Sequence, residues 1–167
     1  AVMAEVRPTA MTGVPRLYEK IHAAMFDRVE CGSKWRRQIF EWALGVGHEY
    51  HSRRLVGQPV SLGLKIRNRV ADALVLRKIR EVVGGPKNFL VAGGAALAQE
   101  SEGMFLSAGL LVCQGYGLTE TSPMITCNSP VGLRFGTVGR PVIECEVRIG
   151  EAGEIQVRGP NVMKGYW

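Results

Sequence analysis

No run of eighteen uncharged apolar residues occurs anywhere in the 167-residue chain, so no stretch reads as a membrane-crossing helix. Cysteine is scarce: Cys31, Cys113, Cys127 and Cys145 lie 82, 14 and 18 residues apart, with no CxxC pair. That spacing supports neither a zinc ribbon nor a redox motif, and suits free thiols in a reducing cytosol. Histidine is scarcer still, with three in all; His48 and His51 could share one helical face, but no third metal ligand accompanies them. Internal repeats and low-complexity linkers are lacking. The opening AVMAEVRPTAMTG places Glu5 and Arg7 where a secretory leader needs apolar residues. It begins with Ala and offers Met3 as no obvious initiator, so the expectation is an interior segment of a longer protein.

Hydrophobic residues make up 46% and charged residues 22%, an ordinary globular composition that argues against a disordered tail, a collagen-like repeat or a coiled coil. The charge of +6 is unevenly placed. Residues 1–83 carry 15 basic and 8 acidic side chains, net +7, whereas residues 84–167 carry 6 and 7, net −1. A basic half can meet nucleic acid or an anionic membrane. Here, however, the bases alternate with Glu and Asp and lack an aromatic platform, so solvent faces of helices account for them better.

The hydrophobic period divides the chain. Residues 14–87 read as mainly helical. One helix opens at Val14-Pro15-Arg16, with Leu17, Ile21, Ala24, Met25 and Val29 as its stripe. A second is capped by Ser33 and runs to Leu55, burying Ile39, Phe40, Ala43, Leu44 and Val46. A third, about Ser61 to Val83, carries Leu64, Val70, Leu74, Val75 and Ile79 and stops at Gly84-Gly85-Pro86. Residues 88–143 change period: strand Asn88–Ala92, turn Gly93-Gly94-Ala95-Ala96, helix Gln99–Leu110, strand Leu110–Gln114, turn Gly115-Tyr116-Gly117. A βαβ unit implies parallel strands, with both glycine turns at carboxyl ends, where open α/β sheets take ligands. Residues 144–167 read as an antiparallel hairpin, Glu144–Ile149 with Glu154–Arg158. The expected fold class is thus α/β: a partial parallel sheet with flanking helices, a helical insertion at about 22–87 and a hairpin near the C-terminus. Edges and apolar surface left uncovered by so short a piece lead us to expect self-association.

The stretch Gln114-Gly115-Tyr116-Gly117-Leu118-Thr119-Glu120-Thr121-Ser122-Pro123 offers glycines for close backbone approach, an aromatic face, a hydroxyl and a hard carboxylate suited to Mg²⁺. A structural turn would need no more than the glycines. QGYGLTETSP resembles the Tyr-Gly-x-Thr-Glu signature of the adenylate-forming superfamily of acyl-CoA synthetases, luciferases and peptide-synthetase adenylation domains. Val91-Ala92-Gly93-Gly94-Ala95-Ala96-Leu97 is similar to its adenine loop. Residues 153–167, GEIQVRGPNVMKGYW, are similar to its Gly-Glu…Arg-Gly…Gly-Tyr segment. The entry Thr12-Gly13-Val14-Pro15-Arg16 to Lys20-Ile21, and the helical stretch behind it, resemble the long-chain fatty acid:CoA ligase branch.

The resemblance implies an AMP-binding domain and a two-step reaction. A carboxylate displaces pyrophosphate from ATP to give acyl-AMP, and coenzyme A then displaces AMP. It implies Gly94 and Ala95 beside the adenine, Gln114, Gly115, Tyr116 and Gly117 bordering the base with Tyr116 stacked on it, Thr119 at the α-phosphate and Glu120 on Mg²⁺. Thr119 and Glu120 would be the catalytic pair. Fatty acid, ATP and CoA would be the partners, with no nucleic acid. The setting would be cytoplasmic, at most peripheral to the inner face of a membrane. The family's Ser/Thr/Gly-rich phosphate loop, its ribose-binding Asp and its small domain with a catalytic Lys have no counterpart here; Gly84-Gly85-Pro86-Lys87 echoes the loop at the wrong place. The 167 residues alone are therefore expected to be inactive. Two alternatives stand beside this: another adenylate-forming enzyme for a medium-chain or aromatic acid, or an acyl-AMP ligase; and a non-catalytic basic helical module.

Overall fold

A computed structural model describes residues 2–87 and 89–167. A short helix α1 (Val2–Val6) precedes strand β1 (Ala10–Gly13), helix α2 (Pro15–Glu30) and helix α3 (Lys34–Leu55). Helix α4 (Leu62–Ala71) runs through a π-helical turn, Asp72–Leu76, into α5 (Arg77–Val82). Then come β2 (Phe89–Ala92), α6 (Gln99–Ser107), β3 (Val112–Tyr116), a 3₁₀ turn (Thr119–Thr121), β4 (Thr126–Cys127) and β5 (Arg140–Pro141). A separate hairpin of β6 (Glu146–Ile149) and β7 (Ile155–Arg158) closes the chain.

The main sheet is mixed α/β architecture in the order β1-β2-β3-β4-β5. The first three strands are parallel, with Thr12 beside Val91 and Val91 beside Cys113; β4 and β5 add antiparallel to β3, with Gly115 beside Cys127. The fold class is therefore as expected, with three local corrections. Strand β1 is an addition: Ala10-Met11-Thr12-Gly13 is too short and too weakly β-branched to announce itself. Strand β3 begins two residues later than expected because Leu110 is spent on ending α6, its N–H reaching back to Phe105 O at 2.9 Å past Gly109 at φ +74°. Gly115 and Tyr116 therefore lie inside the strand. Antiparallel pairing begins at β4, before the hairpin. Asn88 of the expected first strand lies outside the described residues.

The helical stretch forms a single long crossover between β1 and β2. Ser61 caps α4, its hydroxyl accepting from Leu64 N at 3.2 Å; Ser33 stands before α3 in extended geometry without such a bond. The π turn shifts the phase of the third helix, so Ala71, Leu76 and Ile79 turn inward while Val70 and Leu74 face out. Similarly Ala24 and Ile39 are exposed, and Tyr18, absent from the expected stripe, is completely buried and edge-on to Phe105 at 5.5 Å. Arg80 closes this layer: it pairs with Asp72 at 2.7 Å across the π turn and donates to Ala108 O at 3.0 Å. Other basic residues face solvent, as in the pairs Arg37–Glu41, Arg53–Glu49 and Arg77–Glu81. Among the described residues no helix is long and apolar enough to cross a membrane.

Candidate functional site

The Gly93-Gly94 turn follows the carboxyl end of β2, beside the end of β3, where Gly115 and Tyr116 lie in the strand and Gly117 follows it. Ala92 is in register with Gln114, and a Cβ placed on Gly93 would lie 3.8 Å from Gly115 O. Gly94 adopts φ +88° with open space where a side chain would go; Gly94 and Ala95 are both exposed. Opposite them Tyr116 is half-buried, its carbonyl accepting from Ile125 N at 2.9 Å. Gly117 has a structural reason: a Cβ there would lie 1.7 Å from Pro123 O. The chain doubles back on itself at this point, and no side chain fits between.

Beyond Gly117 the loop is tied by its own polar groups. Thr121 Oγ1 accepts from Leu118 N at 3.0 Å and donates to Leu118 O at 2.9 Å, and Ser122 takes a left-handed conformation at φ +52°. This fold-back leaves Thr119 exposed and Glu120 half-buried on one turn, two hard oxygen donors of the kind Mg²⁺ takes. The segment after β7 straps the loop in place. Met163 N donates to Glu120 O at 2.8 Å, Asn161 Nδ2 to Met124 O at 2.9 Å, and the Tyr166 hydroxyl to Glu120 Oε1 at 3.0 Å.

Gln114 takes a different place from its neighbours. Only 7% exposed, its side chain turns inward, donating to Glu102 Oε2 at 2.9 Å and accepting from Leu97 N at 3.3 Å. Glu102 is 2% exposed, and burial raises its carboxyl above the usual range against the opposing bonds from Gly136 N and Gln114. Sequence reasoning passed over Glu102, Asn161 and the role of Tyr166. Tyr166 stood inside the matched Gly-Tyr segment, but nothing local signalled its partner. A hollow of about 850 Å³ lies between α2, α3 and α6 and is lined by none of these loop residues; four carboxylates, Asp27, Glu30, Glu49 and Glu100, border it.

The family model described as AMP-binding enzyme matches residues 1–167. The chain belongs to this family. It is 36% identical over 166 residues to a long-chain-fatty-acid–CoA ligase of Mycobacterium bovis, covering 99% of this chain and 27% of that protein. It is 31% identical over 180 residues to the peroxisomal long chain acyl-CoA synthetase 6 of Arabidopsis thaliana, covering 99% of this chain and 24% of the relative. The chain thus spans about a quarter of the length of these relatives. Among solved structures it resembles a benzoate CoA ligase from Burkholderia xenovorans, with a TM-score of 0.55 and 21% identity over 99% of this chain and 26% of that one. That likeness is one of fold.

Proposed function

We propose that this chain supplies one wall of the nucleotide site in an ATP-dependent long-chain fatty acid:CoA ligase. The observation that carries the reading is that the Gly94 turn and the Thr119–Glu120 turn follow the carboxyl ends of the adjacent parallel strands β2 and β3, with Gly94, Ala95 and Thr119 exposed. Gly94 and Ala95 leave backbone free to lie against a purine, and Tyr116 offers it a flat face. Thr119 would donate its hydroxyl to the α-phosphate, and Glu120 would hold Mg²⁺. The donor chemistry fits, since both groups carry hard oxygens on one turn whose backbone is fixed from two sides. Bound Mg²⁺ would offset the charge that gathers on the phosphoryl oxygens during adenylation. Fixed dipoles of the loop would add to that stabilisation.

The first step would turn the poor leaving group of a carboxylic acid into AMP; coenzyme A thiol would then displace it. No side chain need become a covalent nucleophile, and buried Cys113, its thiol pushed up to about 11 by burial, suits packing better than attack. The long helical crossover and the names of the relatives support the long-chain branch. A cytoplasmic setting, with weak membrane contact during uptake of fatty acid, is consistent with it.

The test is ATP–pyrophosphate exchange by the full-length protein across fatty acids of increasing length. Exchange that requires a long acyl chain and is lost in Glu120→Ala is the expected result. A folded protein that exchanges with no acid would sink the reading.

A further inference from the structure

Among the described residues Glu102 is the one buried carboxylate, and neither step of the proposed reaction uses it. Its Oε2 accepts from Gln114 Nε2 at 2.9 Å and from Gly136 N at 3.3 Å; its Oε1 is buried with no partner. Gln114 in turn accepts from Leu97 N at 3.3 Å. Three segments thus meet through two side chains: α6, strand β3 and the turn 93–98, with the Gly136 loop joining from outside.

The chemistry of the two groups makes the arrangement directional. A carboxamide has a donor end and an acceptor end that differ little in shape. A carboxyl oxygen that faces two N–H donors acts as acceptor, so Glu102 compels Gln114 to present its NH₂ inward. That leaves Gln114 Oε1, the acceptor end, facing Leu97 N–H. Without Glu102 the buried NH₂ end has no acceptor, and to seek one the amide must give up its bond to Leu97 N–H and set donor against donor there. Buried as the pair is, water is poorly placed to repair that mismatch.

We propose that Glu102 is a positioning residue for the nucleotide, acting through Gln114 to hold the turn 93–98 at its height beside β3. The proposal rests on the nucleotide reading above. It explains a Gln at this strand position without placing its side chain on the ligand.

The experiment uses the full-length protein, with AMP binding measured by calorimetry and amide exchange followed by mass spectrometry on peptides covering 93–98. Glu102→Ala should speed exchange at Leu97 and weaken AMP by about tenfold, the scale of a lost hydrogen bond to a charged group. The KM for fatty acid should stay unchanged. Gln114→Met keeps the volume, removes both links and should do the same; it carries the test if Glu102→Ala does not fold. The double variant should be no worse than either single one, and Glu102→Gln, which retains an acceptor oxygen, should restore AMP binding to within about twofold. Folded variants that bind AMP as the wild type does, or keep Leu97 protected, would overturn the proposal alone. A wild type that binds no AMP would overturn the nucleotide reading with it.

Discussion

The Tyr166 hydroxyl donates to Glu120 Oε1 at 3.0 Å and joins the segment after β7 to the Thr119–Thr121 turn, 46 residues earlier in the chain. The bond to the carboxylate, with lesser help from burial, raises the Tyr166 phenol above its ordinary value. An ionised phenol has no proton to donate and repels the carboxylate, so the contact persists below the ordinary phenol range and is lost as pH rises through the raised value. Glu120→Gln should bring the Tyr166 titration back toward about 10, followed by phenolate absorbance with Tyr166→Phe as the blank. An unchanged titration would mean that the strap does not hold the carboxylate in solution.

Gly117 meets Pro123 at a distance no other residue tolerates. Its missing Cβ would fall 1.7 Å from Pro123 O and 3.0 Å from Met124 Cα, all backbone atoms that cannot swing aside. Gly117→Ala should therefore cost about 2 kcal/mol or more and loosen the Glu120 turn. Gly94→Ala faces open space and should cost about 1 kcal/mol, from its positive φ alone. Thermal unfolding of the two variants should separate the effects; equal losses would show that the loop yields.

Sequence carried the layout of this site further than its wiring. The period change after Pro86 marked the βαβ unit because strands and helices bury residues at different spacings, and each glycine turn ended an apolar run. Strand β1 escaped because four residues, AMTG, acquire their pairing only from β2, at the far end of a long, mainly helical crossover. The π turn escaped for a related reason: one extra residue in a helical turn leaves no compositional mark, yet it exchanges Leu74 for Leu76 in the core. Gln114 was legible as part of a matched motif. Its inward side chain was not, because the partner that turns it, Glu102, sits on a helix that buries Ser101, Glu102 and Ser107 beside Met104, Phe105 and Leu106, so no clean apolar stripe marks which residues face inward.

Gly47 and Gly45 make a controlled pair on α3. A Cβ on Gly47 would lie 2.2 Å from Ser107 O, where α3 crosses α6 at close range, whereas one on Gly45 meets nothing within 4 Å. Gly45→Ala should stabilise the helix by roughly 0.5–1 kcal/mol through propensity. Gly47→Ala should destabilise by about 1–3 kcal/mol, since backbone must move. Chemical denaturation of both variants should give opposite signs; a shared sign would mean that the helices are not in contact at Gly47.

Tyr18 ties the helical layer to the strand that leads into the Gly94 turn. Completely buried, it donates its hydroxyl to Val91 O at 2.8 Å, and burial pushes its phenol up to about 12. Tyr18→Phe should cost about 1 kcal/mol at neutral pH. In the wild type the unfolded chain loses the Tyr18 proton near 10 while the folded one keeps it to about 12. Stability present below pH 10 therefore falls between those values. That part of the alkaline slope should vanish in the variant.

His51 works in the opposite pH range. Its ring lies against Gly109, where a Cβ would come within 2.7 Å of Cε1, and Arg54 and Arg80 are near it. Burial first, then those two guanidiniums, push its pKa down to about 4, against a smaller pull from Asp72. Above about pH 6.5 the imidazole is neutral in both states and contributes no slope. Below it the unfolded chain takes up a proton that the folded chain refuses until about pH 4, so stability falls as pH drops through this window. The loss should approach about 2 kcal/mol, allowing for a ring that is not wholly out of water. The measurement is a difference, which cancels what the rest of the chain contributes: urea unfolding of wild type and His51→Gln at pH 7, 5.5 and 4.5. The gap between the two should narrow in favour of the variant as pH falls. Parallel curves would place the His51 ring in water and remove the acid sensitivity from this helix end.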